Sequence, residues 1–152
     1  MCGIYISNFA SDSKTIEKLE KVKFRGPDNL SIKRFGSIIM GHLRLSIIDL
    51  DSRSNQPLTF KNLSIAFNGE IYNYKELRYK LISLGYNFLT ESDTEVILIG
   101  FNHFGTNFIK KLNGMFAILI YDSLANKIYA FRDRLGVKPL YYSFSQGKFE
   151  AA

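Results

Sequence analysis

Two periodicities run along the chain in blocks. Residues 3–9 (GIYISNF), 30–35 (LSIKRF), 37–43 and 63–67 (LSIAF) read as strands, as do 115–122 (MFAILIYD), 127–132 (KIYAFR) and 140–145. Helical spacing appears at 15–24, with Ile16, Leu19 and Val22 after a Ser/Asp-rich start, and at 74–84, with Leu77, Leu81 and Leu84 on one face. It returns at 93–104, with Val96, Ile97 and Phe101 on one face behind a Ser92-Asp93-Thr94-Glu95 cap. Strict alternation of strand and helix would predict a parallel sheet. Runs of strands bracketing runs of helices instead predict an α+β fold, with helices covering largely antiparallel sheets.

The length of 152 residues and an apolar fraction of 46% suit one globular domain with a real core, and exclude a disordered tail. No repeat, low-complexity tract or linker marks an internal boundary. No stretch approaches the ~18 apolar residues of a membrane span, and the start MCGIYISNFASD lacks the basic and apolar parts of a secretory signal. The chain therefore reads as cytoplasmic, with no membrane partner. The single cysteine, Cys2, excludes an intramolecular disulfide and a cysteine metal cluster. The net charge of +6 invites a nucleic-acid reading, but the Lys and Arg residues are scattered among Glu and Asp, as in Glu17-Lys18 and Lys75-Glu76, so nucleic acid is not an expected partner. A solvated basic surface, or a contact surface for an acidic partner, accounts for the charge.

Cys2 stands directly behind the initiator Met, and a small second residue permits removal of that Met. The mature chain would then carry nucleophile and base on one residue. A thiol of pKa ~8.5 sits beside an α-amine of pKa ~7.7–8.0 that can take its proton. A Cys/His dyad would have to recruit His42 or His103, the only histidines. The bland alternative is that Cys2 is a small apolar residue of a first strand. Thioester chemistry also needs oxyanion donors. The side-chain amide of Asn68 and the bare N–H of Gly69, at the end of the strand LSIAF, can supply two, unless they form a plain Asn-Gly turn. Arg44, amid the apolar residues of GHLRLSIID, needs an anionic partner. Asp49 or Asp133 would serve structurally, and a substrate carboxylate would accept its fork in a bidentate manner.

Several segments in order now carry a family resemblance: MCGI, Arg25-Gly26-Pro27-Asp28, the stretch from Gly41 to Asp49, Gln56-Pro57, Asn68 to Asn73, and Ser92 to Glu95. Leu112 to Ala117 and Arg132 to Tyr142 complete the series. The chain resembles, almost end to end, the class II glutamine amidotransferases, and within them the glutaminase domain of asparagine synthetase. The Arg-Gly-Pro-Asp and Arg-Leu-Ser-Ile-Ile-Asp segments are similar to that branch more than to the hexosamine or purine branches. The resemblance implies an Ntn-hydrolase fold: an αββα sandwich of two antiparallel sheets between helical layers.

It also implies roles. Cys2 would attack the glutamine side-chain amide, with Asn68 and Gly69 holding the oxyanion, while Arg44 would take the substrate α-carboxylate and Glu70 and Asp93 its α-ammonium. No metal or cofactor is implied for glutamine hydrolysis. ATP and Mg²⁺ would serve only a synthetase domain, for which neither a Ser-Gly-Gly-x-Asp-Ser loop nor a phosphate-binding Gly-Lys loop is found in these residues. The whole chain, 1–152, is expected to be a glutaminase domain cut short in mid-strand at its C-terminus. Its expected partners are glutamine and a synthetase domain or subunit that converts aspartate to asparagine with the released ammonia; a pairing of two copies is a further expectation. Two other readings stand beside this one: the same fold serving another acceptor, such as a surface-polysaccharide sugar acid, or a catalytically idle docking or regulatory module. Phe24 departs from the family, which commonly has His before Arg-Gly-Pro-Asp, and the expected effect is confined to loop packing.

Overall fold

Side chains alternate across a strand, so a strand whose two faces are both apolar must be covered on both sides. In β1 (Gly3–Ser7) and β3 (Ile38–Arg44) every residue is buried. The computed structural model, which describes residues 1–152, places them in a sheet of order β2-β3-β1-β9-β8, with β2 at Asn29–Phe35, β8 at Tyr142–Ser145 and β9 at Lys148–Ala151. A second sheet has the order β4-β5-β6-β7, from Leu58–Phe60, Leu63–Ile71, Gly114–Asp122 and Lys127–Arg132. Every pairing is antiparallel.

Three apolar cores separate four layers. Ile4, Ile6, Ile38 and Met40 of the first sheet meet Ala66, Ala117, Leu119 and Tyr121 of the second. The opposite face of the first sheet, through Tyr5, Ile39 and Leu43, packs on Leu19 of α1 (Asp12–Glu20). The opposite face of the second, through Leu63, Ile65, Phe67, Phe116, Ile118 and Ile120, packs on α2 (Tyr74–Ser83) and α3 (Asp93–Phe104). Each fully buried aliphatic side chain contributes about 1.5–3 kcal/mol, and such residues are spread over all three cores. This is the expected α+β sandwich.

The differences from expectation are local. α1 starts earlier than its apolar spacing suggests, because the Ser11 side chain accepts from Lys14 N–H at 3.3 Å; Thr15 and Leu19 face the sheet and Ile16 faces solvent. β1 stops at Ser7, whose hydroxyl accepts from the N–H groups of Phe9 and Ala10. Leu84 caps α2 and is exposed, whereas Leu77 and Leu81 are buried. The short strand β4 was not expected; the strand expected at the C-terminus is β9, which pairs with both β1 and β8. β5 runs on to Ile71, so Asn68-Gly69 is strand and not a turn: Asn68 stands opposite Ala117 and Gly69 opposite Phe116. Gly69 is required there, since a Cβ would fall 2.1 Å from the Met115 carbonyl oxygen.

Candidate active site

One cavity, of about 270 Å³, opens where the ends of both sheets meet the first turn of α3. Cys2 reaches it from just before β1, Arg44 from the last position of β3, Asn68, Gly69 and Glu70 from β5, and Asp93 from the start of α3. All six candidate residues therefore line one space. Leu45, Ile47, Ile48, Ser54, Gln56, Thr94, Met115 and Lys138 form much of the rest of its wall.

Cys2 is half-buried, and burial pushes its thiol up; the Leu45 N–H, which donates to Sγ at 3.5 Å, the terminal ammonium and Arg44 pull the other way. Neither histidine lines this cavity. His42 is fully buried between the sheets against the Phe67 carbonyl, and His103 bonds Tyr86 at the far end of α3. A Cys/His dyad is thereby excluded.

The Arg-Gly-Pro-Asp segment holds the surroundings of Cys2. Arg25 Nε donates to the Cys2 carbonyl at 3.2 Å, and Asp28 accepts from Ser46 N–H at 2.7 Å. Gly26 lies so close to the end of β3 that a Cβ would sit 2.5 Å from the Leu43 carbonyl carbon. Phe24, the departure before this segment, is exposed.

Arg44 is buried, but neither Asp49 nor Asp133 is its carboxylate partner. Its Nη1 donates to the Asp51 carbonyl at 2.9 Å and to Asn55 Oδ1 at 2.7 Å, and its Nη2 donates to the Asp49 carbonyl. The guanidinium thus braces the 49–55 loop and keeps two of its five N–H donors for another acceptor. Asp133 instead accepts from the N–H groups of Phe116, Leu135, Val137 and Lys138, which fixes the turn after β7.

The Asn68 side chain is almost buried, lines the cavity and bonds no other protein group, so its amide is available as a donor. Asp93 accepts from Ile71 N–H at 3.0 Å, yet burial raises its pKa to about 6, and the neighbouring Glu70 charge adds to the rise. The Ser92 cap forms as expected, accepting from Glu95 N–H. The Glu95 carboxylate does not complete a capping box; it turns back to the N–H groups of Leu89 and Thr90. No group of three or more His, Cys, Asp or Glu side chains is gathered so as to hold a metal ion. Chemically, the cavity offers a thiol, uncommitted amide donors, a cation and a pair of carboxylates, which match a small zwitterion bearing a carbonyl group.

Sequence reasoning assigned no role to Gln56, Thr94, Arg25, Asp28 or Lys138. Gln56-Pro57 and Arg25 to Asp28 were visible as segments of the resemblance, but only their contacts reveal a purpose. Lys138 is buried beside the cavity with Nζ 3.1 Å from Met1 Sδ.

The family model for the glutamine amidotransferase domain matches residues 1–152. A glutamine-hydrolysing asparagine synthetase of Bacillus subtilis is 40% identical over 153 residues, covering 94% of this chain and 24% of that protein. A putative glutamine-hydrolysing asparagine synthetase of Methanocaldococcus jannaschii is 38% identical over 175 residues, covering 98% of this chain and 33% of that protein. An amidase of Penicillium rubens is 40% identical over 136 residues, covering 88% of this chain and 20% of that protein. The chain thus spans a third or less of the length of these relatives. In structure, the glutamine phosphoribosylpyrophosphate amidotransferase of B. subtilis superposes with a TM-score of 0.83 at 21% identity, over 99% of this chain and 41% of that one.

Proposed function

The chain belongs to the glutamine amidotransferase domain family and has the Ntn-hydrolase fold, and from that premise we propose that its cavity hydrolyses glutamine to glutamate and ammonia. The observation that carries this reading is the convergence of Cys2, Arg44, Asn68, Gly69, Glu70 and Asp93 on one cavity. With Met1 removed, the Cys2 α-amine takes the thiol proton as Sγ adds to the substrate amide carbon. The carbonyl oxygen becomes an oxyanion held by the Asn68 amide and the Gly69 N–H. On collapse the C–N bond breaks, the α-ammonium returns the proton to the leaving nitrogen, and ammonia departs from a γ-glutamyl thioester. Water then adds to the thioester and gives a proton to the amine, the C–S bond breaks, and glutamate leaves the restored thiol. The two N–H donors that Arg44 does not spend on its loop take the substrate α-carboxylate, and Glu70 and Asp93 take the α-ammonium. No metal takes part.

The ammonia serves a synthetase domain or subunit that uses ATP and Mg²⁺ to amidate aspartate. The choice of asparagine as product is supported by the names of the Bacillus and Methanocaldococcus relatives, glutamine-hydrolysing asparagine synthetases. The equally similar Penicillium amidase is the observation favouring a different acceptor. Release of glutamate from glutamine, abolished in Cys2→Ala, tests the first part, and ATP-dependent asparagine formation by this protein together with its synthetase domain or subunit tests the second. A folded protein that releases no glutamate would contradict both.

A further inference from the structure

β5 is half-open along one edge. Its pairing with β4 covers Leu63 to Ile65, in the register Leu58↔Ile65. Continued, that register would set Gln56 opposite Phe67, but the ladder ends at Leu58↔Ile65. The odd-numbered residues of β5 turn their backbone groups to this edge, so Phe67, Gly69 and Ile71 would present bare N–H groups along the cavity. Two of the three are closed by buried side chains. Gln56 Oε1 accepts from Phe67 N–H at 2.6 Å, and Asp93 Oδ2 accepts from Ile71 N–H. The N–H of Gly69, between them, is left for the cavity, because Phe116 across the ladder gives both its backbone groups to Asp133.

The Phe67 carbonyl needs a donor as well. His42, on β3 of the other sheet, supplies it with Nε2 at 3.2 Å. A carbonyl only accepts, so the imidazole carries its proton on Nε2. Its Nδ1 is buried without a partner. Burial lowers the His42 pKa to about 4, so the ring stays neutral across the working range. Gln56 completes the clamp by donating from Nε2 to the Thr94 hydroxyl at 3.1 Å, next to Asp93.

We infer that His42 and Gln56 are positioning residues for this reaction: they replace the missing strand partner at Phe67 and so fix the direction of the Asn68 amide and the Gly69 N–H that follow it. The inference rests on the glutaminase reading. It also explains why a polar pair sits in the interior where apolar residues would pack without an unpaired ring nitrogen.

The test compares wild type, His42→Leu, His42→Gln and Gln56→Met in the full chain. It measures kcat and KM for glutamine, and inhibition by the γ-semialdehyde of glutamate. Cys2 Sγ adds to that aldehyde, its proton passes to the α-amine, and the former carbonyl oxygen becomes the oxyanion. His42→Leu and Gln56→Met are expected to lower kcat by roughly 10- to 100-fold, with KM within about threefold and aldehyde affinity reduced in step with kcat. His42→Gln, which restores an N–H donor, should recover most of both. A folded His42→Leu with wild-type kcat and aldehyde affinity would overturn the inference. Should that variant not fold, Gln56→Met and His42→Asn, whose donor falls one bond short, take its place, and full kcat in either has the same force. A wild type that releases no glutamate overturns the glutaminase reading and this inference with it, whereas an active wild type with unchanged variants overturns the positioning roles alone.

Discussion

Asp93 carries two demands that oppose each other. In the proposed reaction substrate binding needs its charge, while burial holds its pKa near 6, about two units above an ordinary aspartate. Because the native pKa is raised, the folded state favours the neutral acid, and stability is lost as pH climbs from the unfolded pKa through 6. Asp93→Asn keeps an acceptor for Ile71 N–H and should stabilise the protein at pH 7.5 by up to about 3 kcal/mol, the gain vanishing near pH 3.5; melting curves at the two pH values check this. Activity has the opposite sign. As pH falls below 6 the neutral Asp93 no longer holds an α-ammonium, so KM for glutamine should rise there, on top of the fall in kcat that protonation of the Cys2 α-amine brings from about pH 8 downward, in a steady-state pH series. Asn68→Ala should lower kcat by roughly 10² to 10³ with the fold intact, as for other oxyanion donors. An unchanged kcat would remove Asn68 from the mechanism. Arg44→Lys loses the fork and three bracing bonds to the 49–55 loop, so it should raise KM and also lower the melting temperature, a pairing that substrate binding alone would not produce.

At the scale of elements, the turn that follows β7 offers a separate test. Asp133 gathers backbone N–H groups at Phe116, Leu135, Val137 and Lys138. Although burial opposes it, these bonds hold its carboxyl below the usual aspartate range. The contribution is present above the unfolded pKa and is lost as pH falls through the lower native one. Asp133→Ala should cost about 1–3 kcal/mol at neutral pH, measured by denaturant titration, and less under acid conditions. How legible such elements were depended on where their specification lies. α2 was visible because Leu77 and Leu81 recur at helical spacing on the face it buries, and β6 because an unbroken apolar run suits a strand buried between two cores. The extension of β5 was not, because Asn-Gly is locally a turn pair and only the pairing of Gly69 with Phe116 across the sheet overrides it. β4 is too short for its period to register, and its place is set by the edge of β5. Arg44 was read as a residue in need of an anion. Backbone carbonyls of a loop folded back upon it, which no spacing encodes, supply most of what it needs.

For the molecule as a whole, the four layers bring β1, β3, β5 and α3 to one end, and the cavity exists only where these meet. Cys2, Arg44, Asn68, Gly69, Glu70 and Asp93 could be picked from the sequence through their resemblance, yet His42 and Gln56 could not, since their purpose is to join one layer to another. Cys2→Ala, which removes little buried surface, should leave the melting temperature within a few degrees while abolishing glutamate release. The most direct test of the central claim is covalent trapping of the active protein with a glutamine-analogue electrophile, followed by intact mass and peptide mapping. The account predicts one label per chain, on Cys2 of a chain that has lost Met1. A label on any other residue, or full glutaminase activity in chains that retain Met1, would contradict it.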